Sequence, residues 1–252
     1  MFAEYPQSHH IPALRKLWQE AFKDSDAFLD IFFTTGYSPD RCRVILSDGQ
    51  AAAALYWFDC VWQKKKLAYL YAVATAEVFR GRGLCRQLLE DTHKLLKGRG
   101  YAGVVLSPGN AGLFRMYEKM GYRVMSSVRE FSCCAGEESY PLTALTKTEY
   151  AKRRAALLPS GGILQEAESL DFLSAFSKFY ASEHCLLCVR READTLFVPE
   201  LLGDPSHAGG ILRSLGCREG VFRTPGAEKP FAMYRGLTED PAIPGYLGHA
   251  FD

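Results

Sequence analysis

Apolar residues recur at helical spacing near the start of the chain. In "IPALRKLWQEAF" Leu14, Leu17, Trp18 and Phe22 form one stripe, and "DSDAFLDIFF" restarts the pattern after a polar break, so two short helices open the fold. The period then changes to that of strands. "RCRVILSDGQAAAALYWFDCVW" carries apolar runs on both sides of Asp48-Gly49, a dipeptide suited to the positive φ of a tight turn, and predicts a hairpin. "QKKK" at Gln63 to Lys66 reads as a polar, solvated turn. "LAYLYAVATA", from Leu67 to Ala76, is an almost unbroken apolar run of strand length, which marks a central strand buried on both faces.

Beyond that strand lies "FRGRG", followed by Leu84, Leu88 and Leu95 with Cys85, Leu89 and Leu96 at helical spacing until Gly98 and Gly100. "YAGVVLS" predicts another buried strand. "PGN" is a turn with Asn110 as N-cap, "AGLFRMYEKM" a helix closed by Gly121, and "YRVMSSVREFSCC" a strand that completes the sheet. The order predicts an α/β domain over residues 1–134, a mixed central sheet flanked by helices.

The polar "AGEESYPL", Ala135 to Leu142, reads as a connection to a second, smaller α/β unit over 143–252. There "TKTE" at Thr146 to Glu149 is a capping box opening a basic helix, and "AESLDFLSAFSKFY" predicts another helix. "HCLLCVRREADTLFVPELLG" reads as a strand hairpin, "SHAGGILRSLG" as a short helix, and "VFRTPGAEKPFAMYRGL" as a terminal hairpin turning at Pro225-Gly226. "SPGNAGLFRMYEKMGYR" is faintly repeated by "GDPSHAGGILRSLGCRE". Tyr117, four residues before Gly121, has Leu212 in the corresponding place before Gly216, so the second copy cannot repeat whatever that phenol does.

Charge narrows the classes of partner. Lys+Arg 30 against Asp+Glu 29 leaves a net charge of +1, no global field for nucleic acid or an acidic membrane surface, so any anion site must be local. No apolar run approaches the ~20 residues that cross a bilayer, and "MFAEYPQSHH" lacks the layout of a signal peptide, which predicts a cytoplasmic protein. The eight cysteines sit among apolar residues as reduced, buried thiols do. "HCLLC" is half a zinc site, but no second pair follows at ligand spacing and the two cysteines would face opposite sides of a strand, so no metal is expected.

The local anion site is "FRGRGLC". The first N–H groups of a helix lack internal partners and carry the positive end of its dipole. Gly81 and Gly83 let successive amides converge, while Arg80 and Arg82 add charge at the rim. A dinucleotide fingerprint would need glycine where Arg86 stands, and a P-loop would need Gly-Lys-Ser/Thr. The stretch also fits an ordinary strand-to-helix loop that is rich in glycine.

Strand, glycine-arginine loop and the later "NAGLFRMYEKMGY" occur in an order that resembles the GNAT superfamily of N-acetyltransferases. The family's Gln/Arg-x-x-Gly-x-Gly/Ala motif is matched by Arg80 and Gly83, with Cys85 as a departure. Its Asn-led helix ending Tyr-x-x-x-Gly-aromatic is matched by Asn110, Tyr117, Gly121 and Tyr122. The resemblance covers roughly the first 134 residues and makes the second unit a degenerate GNAT-like one.

It implies acetyl-CoA as co-substrate, with its diphosphate on the amides of Arg80, Gly81, Arg82, Gly83, Leu84 and Cys85. The pantetheine arm would lie along the backbone of Tyr71, Val73 and Thr75, and Asn110 would sit nearby. Tyr117 would protonate the departing thiolate, and the acceptor would be a small-molecule amine. Tyr117 equally lies on the stripe of Leu113, Phe114 and Met120 as a core aromatic would, and Asn110 is also sufficient as a plain N-cap. For a base the acids near the cleft are Asp59, Glu77 and Glu118. Asp59 interrupts the apolar "LYWFDCVW", although it also reads as a solvated hairpin carboxylate. Tyr56, Trp57, Phe58, Tyr69 and Tyr71 crowd the strands before the loop as core or as pocket lining. The other function class the sequence admits is a non-catalytic acyl-CoA-binding module.

Overall fold

A computed structural model describes residues 2–251. Its first half runs β1 (Ala3–Glu4), α1 (Ile11–Phe22), α2 (Asp26–Ile31), β2 (Cys42–Ser47), β3 (Gln50–Trp62), β4 (Lys65–Thr75), α3 (Leu84–Gly98), β5 (Gly103–Leu106), α4 (Ala111–Glu118) and β6 (Arg123–Cys134). The second half runs β7 (Thr143–Leu145), α5 (Lys147–Leu157), β8 (Leu164–Gln165), α6 (Glu168–Ser174), β9 (Lys178–Ala181) and β10 (Cys185–Glu192). It ends with β11 (Thr195–Gly203), α7 (Ala208–Ser214), β12 (Glu219–Pro225) and β13 (Lys229–Gly236).

Three local expectations change. Lys65 and Lys66 belong to β4 rather than to the turn, which shortens to Gln63-Lys64, both with positive φ. The second opening helix continues into a wider π turn over Phe32–Gly36. The predicted helix stops at Ser174, and its "KFY" end is instead in strand β9, because Phe179 and Ala181 are buried while Lys178 is exposed, a period of two that overrides the helical spacing.

One sheet runs through both halves in the order β1-β2-β3-β4-β5-β13-β6-β12-β11-β10-β9-β7, with β8 added to β3. The terminal hairpin expected at Pro225-Gly226 does not form as such: β12 and β13 lie on either side of β6, and β13 inserts between β5 and β6. The connection can cross the β6 backbone because Gly226 has no side chain. A Cβ there would stand 2.7 Å from the Arg129 amide nitrogen.

Strand alternation divides the core between the two faces of the sheet. On one face α3 and α4 pack Leu84, Leu88, Leu89 and Tyr117 against Trp57, Leu70 and Val104. On the other, α1, α2, α5 and α6 pack against Tyr56, Phe58, Tyr69 and Leu186, with Trp18, Phe32 and Phe172 fully enclosed. Cys185 and Cys188 fall on opposite faces, as their spacing requires. Among the described residues no helix is long and apolar enough to cross a membrane.

Candidate active site

The site forms where two parallel strands part. β4 pairs with β3 along its length, but with β5 only through Leu67↔Gly103, Ala68↔Val104 and Tyr69↔Val105. β5 ends at Leu106, so β4 from Leu70 to Thr75 presents a main-chain edge that no strand covers. Within that stretch the β3 register slips between Ala54↔Ala74 and Tyr56↔Tyr71, which places one extra residue in β4. Ala72 there has φ of 47°, an uncommon conformation for a residue with a Cβ and one that marks a bulge. Past the bulge, the Ala76 amide donates to the Ala52 carbonyl, so strand alternation turns the amides of Thr75 and Val73 to the open side. Tyr71 precedes the bulge, where that alternation is interrupted.

A single 3-10 turn over Glu77–Phe79 joins the open edge to the glycine-arginine loop. Gly81 and Gly83 have φ of 74° and 78°, and a Cβ at either would meet nothing within 4 Å, so it is the backbone conformation alone that calls for glycine. The amide of Arg80 donates to the Glu77 carbonyl at 3.1 Å and is spent, a correction to the expected cradle, which begins one residue later. The amides of Gly81 through Cys85 donate to no acceptor among the described residues. Both arginines brace the loop: Arg80 Nε donates to the Thr75 carbonyl at 3.2 Å. Arg82 Nη2 donates to the Val78 carbonyl at 3.0 Å, and its guanidinium lies over the Phe79 ring. Convergent unpaired amides at the start of the 15-residue α3 are a ready site for a phosphate group. Cys85, half-buried in the first turn, has its thiol pushed up to about 11 by burial and stays protonated.

Across the gap stands α4. Asn110 is its N-cap, with Oδ1 accepting from the Leu113 amide at 3.0 Å, which occupies that side-chain oxygen. Tyr117 is 5% exposed and packs edge-on to Tyr122, and its hydroxyl makes no hydrogen bond to any described residue. Burial, with the Cys85 thiol as a lesser cause, raises its pKa well above that of a free phenol, so it keeps its proton. Behind it Tyr122 Oη and His93 Nε2 lie 2.7 Å apart. A helix start with unpaired amides, an open strand edge and a protonated phenol whose hydroxyl has no partner among the described residues thus lie together where α3 and α4 pack on the sheet.

Asp59 is not part of that arrangement. It sits opposite Ala68, roughly 23 Å along the strand from Thr75 at about 3.3 Å per residue. Its Oδ1 accepts from Tyr101 Oη at 2.5 Å and its Oδ2 pairs with Lys66 Nζ at 2.9 Å. The ion pair with Lys66 and the hydrogen bond from Tyr101 account for a carboxylate in an apolar strand. Of the aromatics, Tyr56, Phe58, Tyr69 and Tyr71 face α1 and α2, whereas Trp57 faces α3.

Sequence reasoning missed the tail. Residues 246–251 run through the interior instead of trailing away, and Tyr69 Oη donates to the Ala250 carbonyl at 2.6 Å while Tyr71 Oη donates to that of Phe251 at 3.2 Å. The Phe251 ring packs on Phe58, Tyr69, Tyr71 and Phe172, and its own φ is 61°. "PGYLGHAF" has no period to read; its apolar share alone hinted at burial.

A mixed sheet with one parallel pair splayed beside an anion-binding helix start is the architecture of an acyltransferase. Residues 4–125 match the acetyltransferase (GNAT) domain, and the first half of the chain is a GNAT domain. Solved structures extend the likeness of fold over both halves. A GCN5-related N-acetyltransferase from Anabaena variabilis has a TM-score of 0.72 at 16% identity, over 94% of this chain and 72% of that one. One from Kribbella flavida has 0.68 at 15%, over 93% and 70%. A tandem GNAT protein from the clavulanic acid biosynthesis pathway has 0.57 at 11%, over 94% and 99%. No curated protein matches the chain.

Proposed function

We propose that the chain transfers the acetyl group of acetyl-CoA to a primary amine of a small-molecule acceptor by direct attack. The observation that carries this reading is the uncovered edge of β4 followed, after one 3-10 turn, by the unpaired amides of Gly81 to Cys85. Those amides hold the diphosphate, and the Val73 and Thr75 amides receive the carbonyls of the pantetheine arm. An amide of the same edge polarises the thioester carbonyl and stabilises the oxyanion formed when the amine nitrogen adds to it. As the C–S bond breaks, the Tyr117 hydroxyl gives its proton to the sulfur; the surplus proton on the attacking nitrogen passes to water, from which the phenolate is reprotonated, leaving an N-acetyl amide and free CoA thiol. A phenol held protonated and unpaired suits that role. Residues 143–252 shape the acceptor side of the cleft, and the eight free thiols support a cytoplasmic setting.

The test is release of free thiol from acetyl-CoA on incubation with a panel of amines. Amine-dependent release is expected, with the acetylated amine detected by mass. Tight CoA binding without turnover on any amine would replace this reading with that of a binding module.

A further inference from the structure

We propose that Glu200, far outside the cleft, is a positioning residue for its acceptor side, acting by fastening residues 246–251 against β4; the proposal rests on the acyl-transfer reading above. Glu200 lies on β11 and is 1% exposed, yet it is ionised: Arg154 from α5, 2% exposed, grips it with Nε on Oε2 at 2.6 Å and Nη2 on Oε1 at 2.9 Å. The guanidinium and the imidazole of His249 hold its pKa well below the ordinary carboxylate value against the opposing effect of burial. Its other contacts all lead to one segment. Tyr246 Oη donates to Oε1 at 3.1 Å, His249 Nε2 lies 3.2 Å from Oε2, and Tyr150 Oη touches both Oε2 and His249 Nε2. Gln165 binds both backbone groups of His249, donating to its carbonyl at 2.7 Å and accepting from its amide at 3.2 Å. Gly248 lies so tightly on the carboxylate that a Cβ there would collide with Oε1.

A buried ion pair of this kind contributes little net stability compared with packed apolar side chains, because desolvation offsets the attraction. What it does supply is a single geometry. The segment it fixes continues into the Ala250 and Phe251 carbonyls that bind Tyr69 and Tyr71, and Tyr71 stands on the splayed, uncovered part of β4. The Phe251 ring then closes the aromatic group of Phe58, Tyr71 and Phe172 on the face opposite Tyr117 and α3. An acceptor amine reaching the open edge of β4 beside the half-buried Tyr71 meets a wall whose position is set from β11.

Two full-length variants test this. Glu200→Gln keeps the shape and removes the charge; Gly248→Ala displaces the segment and leaves the ion pair's own groups intact. For each, hydrogen exchange, CoA affinity and steady-state constants are measured with an amine that the wild type acetylates. Exchange should rise over 247–251 but not over 81–88. CoA Kd should stay within about twofold and kcat/KM for the amine should fall ~10-fold or more through KM, as misplacement of a positioning wall requires. Uniformly raised exchange, or unchanged amine constants in a Gly248→Ala variant whose segment is released, overturns the proposal. A wild type that turns over no amine removes the acyl-transfer reading and this proposal with it; turnover by wild type and variants alike removes this proposal alone.

Discussion

The two halves make the same move with opposite results. In each, a parallel strand pair parts after a few residues: β4 leaves β5 beyond Tyr69, and β11 leaves β12 beyond Val198. In each, glycines stand at the next helix start. Gly81 and Gly83 take positive φ in open space and leave their amides without partners. Gly209 and Gly210 are instead packed on the connection between the halves, whose Gly136 and Tyr140 amides donate to their carbonyls at 2.9 and 3.1 Å. A Cβ at Gly210 would stand 2.9 Å from that of Tyr140. The amide of Ser206 is already taken by Asp204, and the diverging part of β11 places Glu200 against Arg154 rather than leaving a gap. Leu212, fully buried, occupies the place that corresponds to Tyr117. What separates a binding site from a piece of core here is not the glycines or the splay but whether the polar groups they expose have been paired.

Matched glycine variants break or confirm that contrast most directly. Gly83→Val puts a β-branched side chain at φ of 78°, where an L residue costs about 1–2 kcal/mol, and should abolish measurable CoA binding while the protein still folds. Gly210→Val should do the reverse, since overpacking against Tyr140 costs about 1–3 kcal/mol and lowers Tm without touching CoA affinity. Calorimetric titration with CoA beside thermal melts reads both, and loss of CoA binding in the Gly210 variant would erase the distinction between the halves. Next in size, Tyr117→Phe should lower kcat about 10²-fold with CoA Kd unchanged, because a thiolate leaves reasonably well without a proton. Full activity at every pH would leave Tyr117 as a core side chain like its counterpart Leu212.

The sequence disclosed the first half better than the second for reasons that can be named. The β4 run and the α3 stripe have strong periods, and the glycine spacing needed only local geometry, so strand, loop and helix were legible residue by residue. The bulge at Ala72 was not, because nothing in "YAVAT" forces a positive φ; the partner register with β3 does. Asp59 misled because a carboxylate in an apolar strand reads as poised chemistry until its partners Lys66 and Tyr101 are seen, and Tyr101 is 42 residues away. The placement of β13 between β5 and β6, and the interior course of 246–251, depend on contacts between ends of the chain distant in sequence, which no window of neighbouring residues contains.

The smallest expected effect compares one buried histidine from each half. Each has a ring Nδ1 with no hydrogen-bond partner, so neither has a site prepared for a second proton. Burial, and to a lesser degree Arg235, pushes His93 down to about 3, with only the Tyr122 hydroxyl beside its other nitrogen. Burial lowers His249 as well, but the Glu200 carboxylate works against the shift. A histidine whose pKa is depressed on folding is neutral in the native state and takes up a proton only on unfolding. Its contribution is therefore complete above the unfolded value near 6.5 and is lost as pH falls toward the folded one. At about 1.4 kcal/mol per pH unit, His93 should cost about 2 kcal/mol of stability between pH 7 and pH 5. Denaturant melts at those two values should show His93→Gln flattening this loss more than His249→Gln does, because only His249 faces a counter-charge. Equal slopes in the two variants would mean that the carboxylate in the second half offers no more shelter to a proton than the phenol in the first.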